Sequence, residues 1–242
     1  MREIMIEAKN VCIDYRNLTH LSIHQMIRNV PKKVDVVHAV KNVSFSAERG
    51  EIIGVIGKNG SGKSTLLRSI AGIFQPDSGI IDTKGHKVSL MSVGVGFKPD
   101  ITGRENILTS GMLLGYDKDY ILSHMNEIIE FSELGEFIER PIRTYSSGMY
   151  SKLAFAITAI MDNDIMLVDE VLSVGDAKFQ KKSYNKMQEL ILDKNRTVMI
   201  VSHALATLEN LCSRVIWLHE GEVKMIGETE EVLDKYTKFM AQ

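Results

Sequence analysis

Cysteine is scarce: Cys12 and Cys212 are the only two in 242 residues. Their wide separation suggests neither a disulfide framework nor a zinc site. Both read as small buried hydrophobes of a reducing compartment. An excess of one charge sign is also missing, because 29 Lys and Arg face 31 Asp and Glu for a formal net charge of −2. That balance gives no electrostatic case for a nucleic-acid partner. No hydrophobic run is long enough to span a bilayer: the most apolar long stretch, Leu153 to Val168, is broken by Asp162, Asn163 and Asp164. If the function involves a membrane, another chain must supply the spanning part. Met1 to Glu7 alternates polar and apolar residues and carries no signal-peptide core. Internal repeats and low-complexity tracts are lacking too.

What remains is ordinary soluble-protein composition, 44% hydrophobic and 25% charged, organised around one stretch. Gly57-Lys58-Asn59-Gly60-Ser61-Gly62-Lys63-Ser64-Thr65 follows the apolar run Ile52 to Ile56 and leads into Leu66 to Ala71. Strand, glycine-rich loop and helix in that order form the context of a phosphate-binding loop. Glycines let backbone N–H groups curl around anionic oxygens, and the helix opening at Lys63 adds its positive end. Lys63 is placed to reach the outer phosphates of a nucleoside triphosphate, and the Ser64 hydroxyl to sit on Mg²⁺.

Residues 3–15 read as a first strand, ending at Asp14-Tyr15. Arg16 to Asp35 fits the rest poorly: Leu18, Leu21, Ile23 and Ile27 are spaced for a short amphipathic helix. The segment is either a surface excursion between strands or a docking element. His38 to Ser46 alternates again, with Val40, Val43 and Phe45 on its apolar side. Short strands follow the breaker Gln75 to Gly79 as far as Met91, and Val93 to Pro99 is a loop. Largely helical sequence then runs from Thr102 to Glu139, and a further helix starts after Ser146-Ser147. This helical part, about residues 100–160, is expected to be a subdomain set into an α/β core. Ile165 to Val168 and Thr197 to Val201 are buried strands, Lys178 to Leu192 is an amphipathic helix, and Arg214 to Ile226 is a hairpin turning at Glu220-Gly221. A polar-faced helix follows Thr229. Short apolar runs separated by helices predict a mostly parallel sheet covered on both faces.

Four further features follow the loop in fixed order. Tyr145-Ser146-Ser147-Gly148-Met149 opens a helix, with Ser146 as its N-cap; alone, it reads as an ordinary capped helix. Asp169-Glu170 closes an apolar strand at the carboxyl edge of the sheet, where ligands of such sheets bind. Asp169 is placed to hold Mg²⁺, directly or through water, and Glu170 to act as general base on the attacking water. Ser173-Val174-Gly175-Asp176 is a turn on its own evidence. Ser202-His203 ends another buried strand, where an imidazole can donate to a γ-phosphate or position the water.

In this order the chain resembles the ATP-binding subunit of ATP-binding-cassette (ABC) transporters over nearly all of its length. Gly57 to Thr65 resembles the Walker A motif, Ile165 to Glu170 the Walker B motif with its catalytic glutamate, Ser173 to Asp176 the D-loop, and His203 the switch histidine. Tyr145 to Met149 stands where the family has its LSGGQ signature. Tyr15 matches the aromatic that stacks on adenine once Arg16 to Val37 is treated as an insertion, with His38 as the alternative. Ser147 and Met149 depart from the signature, and Val93 to Pro99 lacks the usual glutamine. With Gly-Phe before Thr-Gly-Arg-Glu-Asn, Phe131 to Gly135, and Asp-Glu-Val-Leu-Ser-Val-Gly-Asp, these departures resemble the branch that exports lipid-linked polysaccharides: O-antigen, capsule and teichoic acid.

The resemblance implies an ABC-type α/β fold, with a mostly parallel core sheet, an antiparallel β part and an inserted helical subdomain. It also implies an ATPase dependent on ATP and Mg²⁺ at the cytoplasmic face of the cell membrane. Two copies would close head to tail over two ATP molecules, the P-loop of one facing Ser146, Ser147 and Gly148 of the other. Two copies of a multi-spanning permease would complete the exporter, contacted by Arg16 to Asp35 and the loop near Val93 to Pro99. A lipid-linked glycan would be the cargo. Residues 1–242 are expected to form one ATPase domain without the carbohydrate-binding domain that some exporters of this branch carry. Other readings are a soluble P-loop phosphotransferase, a DNA-maintenance ATPase, or an importer or drug exporter of the same fold. The signature-like motif and the strand-ending histidine weigh against a kinase, and the lack of a long heptad insertion against DNA maintenance.

Overall fold

A computed structural model describes residues 3–18, 34–91, 94–169 and 175–241. Nine strands and seven α-helices run through them. The strands are β1 (Ile4–Leu18), β2 (Val34–Glu48), β3 (Ile52–Ile56), β4 (Ser78–Asp82), β5 (Val88–Met91), β6 (Ile165–Asp169), β7 (Thr197–Val201), β8 (Arg214–His219) and β9 (Glu222–Glu228). The helices are α1 (Lys63–Ile70), α2 (Gly103–Leu113), α3 (Lys118–Ser132), α4 (Ser147–Ile160), α5 (Ala177–Ile191), α6 (Leu205–Leu211) and α7 (Thr229–Met240).

Six strands form one sheet in the order β5-β6-β7-β3-β8-β9, parallel except for β9. Three more form an antiparallel sheet in the order β2-β1-β4. The apolar runs of β3, β6 and β7 are buried almost throughout because both faces of the large sheet are covered. One face packs with α1 against the small sheet, through Ile53, Val55, Leu66, Leu67, Ile6 and Val43. The other packs under α4, α5, α6 and α7, through Phe155, Phe179, Leu208 and Tyr236. A third core, with Ile107, Ile121, Ile128, Leu153 and Ile157, belongs to the helices between β5 and β6.

The small sheet departs from simple alternation. Val40 and Val43 both face the core at an odd spacing because the β1–β2 ladder slips register nearby. Asn10 and Asn42 take left-handed backbone there, at φ 51° and 50°, a conformation asparagine tolerates better than most residues. The first strand also runs past the expected end at Tyr15: Tyr15, Arg16 and Leu18 pair with Val37, Val36 and Val34. The β-branched residues at 34, 36 and 37 suit a strand, and the ladder satisfies backbone groups on both sides. The helix expected around Leu21, Ile23 and Ile27 lies outside the described residues. Cys212 is buried as expected, whereas Cys12 is half-buried, its sulfur accepting from the Asn42 amide at 3.2 Å. No described helix is long and apolar enough to cross a membrane.

Candidate functional site

The large sheet brings the phosphate-loop residues, Asp169 and His203 together through its register. Val55 lies beside Val201, and Asp169 beside Val201 on the other side of β7. The carboxyl ends of β3, β6 and β7 therefore open on one place. A cavity of about 400 Å³ lies there, lined by Asn59 to Thr65, Asp169, Val201 and His203.

The glycines of the loop are required by its shape. Gly62 has φ 98° and presses on the Ala39 carbonyl, and Gly57 packs against the Leu218 carbonyl. A Cβ at either would fall far inside contact distance. Lys63 is buried, and its ammonium donates to the Gly57 and Lys58 carbonyls at 2.8 and 3.0 Å. α1 starts with no side-chain cap and no acidic residue in its first turn, leaving its positive end for an anion. The Ser64 hydroxyl donates to Asp169 Oδ1 at 3.0 Å.

Two observations fit a bound nucleotide with Mg²⁺. The Ser61 hydroxyl is buried with no hydrogen-bond partner among the described residues, the kind of group a ligand oxygen satisfies. The adjacent hydroxyl of Ser64 and carboxylate of Asp169 are hard oxygen donors, the set that Mg²⁺ takes alongside phosphate and water.

Tyr15 is 43% exposed, and its hydroxyl lies 3.3 Å from Thr65 Oγ1 on α1, with Phe74 edge-on to its ring. His38 is engaged instead with Asp14 at 2.7 Å. The Ser202 hydroxyl accepts from the Ala204 amide at 3.0 Å, shaping the turn that carries His203.

Ser146, Ser147, Gly148 and Met149 do not join this cavity in the same chain. Ser146 caps α4, accepting from the Met149 amide at 3.2 Å, and both serines are exposed. Glu170, Ser173 and Val174 lie outside the described residues. Past them, Gly175 is described, and Asp176 caps α5 through the Phe179 amide at 3.0 Å and meets Lys152 of α4 at 2.6 Å. The Lys152 hydrogen bond, helped by that amide, holds the Asp176 carboxyl down at about 2. The start of α5 is thereby tied to the helix that carries the signature-like residues.

The loop before α2 has its own tie. Asn106 is fully buried, accepting from the Lys98 amide at 2.7 Å and donating to the carbonyls of Lys98, Ile101 and Thr102. Thr102 and Glu105 close a capping box on the same helix. Phe97 then meets Tyr150 of α4 edge-on at 5.0 Å. Sequence reading marked the Thr-Gly-Arg-Glu-Asn run but missed what Asn106 does. It also missed Lys152, whose partner lies 24 residues away with no local pattern linking the two.

A glycine-rich loop feeding a helix at the carboxyl edge of a parallel sheet, with a hydroxyl–carboxylate pair beside it, defines a P-loop nucleotide-binding protein. Residues 40–173 match the family model described as ABC transporter, and the chain belongs to that family. It is 44% identical over 205 residues to the O-antigen export system ATP-binding protein RfbB of Myxococcus xanthus, covering 85% of this chain and 47% of that protein. The RfbB of Klebsiella pneumoniae is 42% identical, over 84% of this chain and 82% of its own. The teichoic acids export ATP-binding protein TagH of Bacillus anthracis is also 42% identical, and this chain spans 37% of it. The chain thus spans less than half the length of two of these three relatives. Among solved structures, an ATP-binding subunit of an ABC transporter superposes with a TM-score of 0.71 at 20% identity, over 96% of this chain and 93% of that one. A dimeric ATP-binding cassette in a post-hydrolysis state with ADP and phosphate gives 0.68 at 22%, over 93% and 99%. These likenesses establish the ABC ATPase fold, mostly parallel with an added antiparallel sheet.

Proposed function

We propose that the chain is the ATP-hydrolysing subunit of an exporter that moves a lipid-linked polysaccharide through a separate membrane permease. The observation that carries the ATPase reading is the hydrogen bond from Ser64 to Asp169, which puts a hydroxyl and a carboxylate beside the buried ammonium of Lys63. The names and identities of the relatives support the export reading.

In this reading the backbone amides from Asn59 to Thr65 enclose the phosphates, Lys63 neutralises their outer charge, and Tyr15 stacks on the base. Ser64 and Asp169 would hold Mg²⁺, which would supply neutralisation of phosphate charge. Water attacks the γ-phosphorus while its bond to the β–γ bridging oxygen breaks. Glu170 takes the water's proton, and His203 holds the γ-phosphate oxygens. ADP and inorganic phosphate leave.

Because Ser146 to Met149 stand away from the Lys63 cavity, the reading assigns them to the second site of a homodimer, on the ATP held by the other copy. The helical part, about residues 100–160, then swings those residues in and out as a subdomain. Two permease copies dock where the Gly94–Pro99 loop packs on α4 through Phe97. An apolar groove of about 530 Å³ adjoins that loop, with Ile73, Val95 and Leu113 in its walls. The chain works at the cytoplasmic face of the cell membrane and takes no nucleic-acid partner.

Replacing Glu170 with Gln in the producing cell tests the whole reading. The lipid-linked glycan should accumulate on the cytoplasmic side, and the surface polysaccharide should fall. Surface polysaccharide at its normal level, with hydrolysis abolished, would show that the chain powers something else.

A further inference from the structure

α7 packs Val232, Leu233 and Tyr236 into the core under the large sheet, but its last turn does something else. The ring of Phe239 is half-buried and sits edge-on to Trp217 at 5.2 Å and to His219 at 5.1 Å. Lys224 of β9 holds its ammonium 3.4 Å from the ring centroid, and Lys58 places its own 5.6 Å away. The faces of a benzene ring carry partial negative charge, so the two ammonium groups gathered on this one ring are held to it by cation–π attraction.

Lys58 belongs to the phosphate-binding loop. Its carbonyl accepts from the Ser61 amide at 3.1 Å and from the Lys63 ammonium at 3.0 Å. Its side chain is absent from the walls of the nucleotide cavity, which begin at Asn59. Phe239 therefore holds the loop from outside at the residue whose carbonyl orients Lys63. We propose that Phe239 is a positioning residue for the P-loop, and that α7 sets ATP affinity through the Phe239–Lys58 contact. The proposal rests on the reading of Gly57 to Thr65 as the ATP site.

α7 is well placed for such a role. A space of about 300 Å³ is lined by Tyr236, Thr237 and Met240 of α7 together with Gly57, Ser202 and His203. Whatever moves α7 then alters ATP binding without touching a phosphate.

Phe239→Leu keeps an apolar side chain on the helix and removes the ring face; Phe239→Tyr keeps the face. Steady-state ATP hydrolysis and equilibrium ATP binding by the full chain give the readout. Phe239→Leu should raise KM and Kd for ATP roughly two- to fivefold with kcat within a factor of two, and Phe239→Tyr should match the parent. In a Lys58→Met background, Phe239→Leu should add nothing further. Unchanged ATP affinity in Phe239→Leu, or the same loss in the Lys58→Met background, would overturn the positioning role. A parent chain that binds no ATP would instead overturn the reading of the site itself.

Discussion

Lys63 carries most of what can be said of a single residue. It is a buried cation whose ammonium donates to two backbone carbonyls of its own loop, and a polyphosphate in the adjoining cavity would add a charge-assisted partner. Lys63→Ala should lower kcat for ATP hydrolysis by roughly a hundredfold while leaving the thermal transition nearly unmoved. A mutant with parental turnover would remove Lys63 from the site. At this scale the sequence was highly legible: Lys63, Ser64, Asp169 and His203 stand on local motifs, and the sheet brings all four to one cavity. Phe239 was not legible. Its partners Lys58, Trp217 and Lys224 come from three other elements, and no spacing within α7 announces them. Asn106 was half legible, since the motif around it could be seen but its four hydrogen bonds to the loop could not.

Elements were legible wherever a strand is buried on both faces or a helix has a clear apolar side. β3, β6 and β7 stand within a residue of their expected places, and α5 buries the expected Phe179, Met187, Leu190 and Ile191. The end of β1 was missed because Tyr15 and Arg16 look like the edge of a polar excursion, while pairing with residues 34–37 keeps them in the strand. The contact between α4 and the start of α5 carries a pH prediction. The folded carboxyl of Asp176, at about 2, lies below its ordinary 3.8. A depressed acid contributes stability that is present above the unfolded value and is lost as pH falls toward the folded one. Asp176→Asn should therefore lower stability at neutral pH and flatten the acid side of the profile between about pH 4 and pH 2. Thermal melts across that range check it; a mutant profile parallel to the parent's would show that Lys152 and Asp176 do not hold the two helices together. On the proposed reading, in which the signature-like residues meet a nucleotide, that tie would make α4 and α5 move as one.

For the whole molecule, the question is what the separation of two half-sites means. The P-loop, Asp169 and His203 share a cavity, while Ser146 and Ser147 are exposed at the start of α4. On the proposed reading, the start of α4 is half of an anion site that a second copy arranged head to tail would complete. Composition could not reveal this, because nothing in a near-neutral charge balance marks an interface. The order of motifs could, since a signature-like segment without a local partner needs one elsewhere. Closure over two ATP molecules is the central claim, and it is tested by light scattering on Glu170→Gln with and without ATP and Mg²⁺. The account predicts a monomer without nucleotide and a dimer with it, abolished when Ser147 is also replaced by Arg. A chain that stays monomeric at saturating ATP, or a dimer indifferent to the Ser147→Arg change, would contradict it.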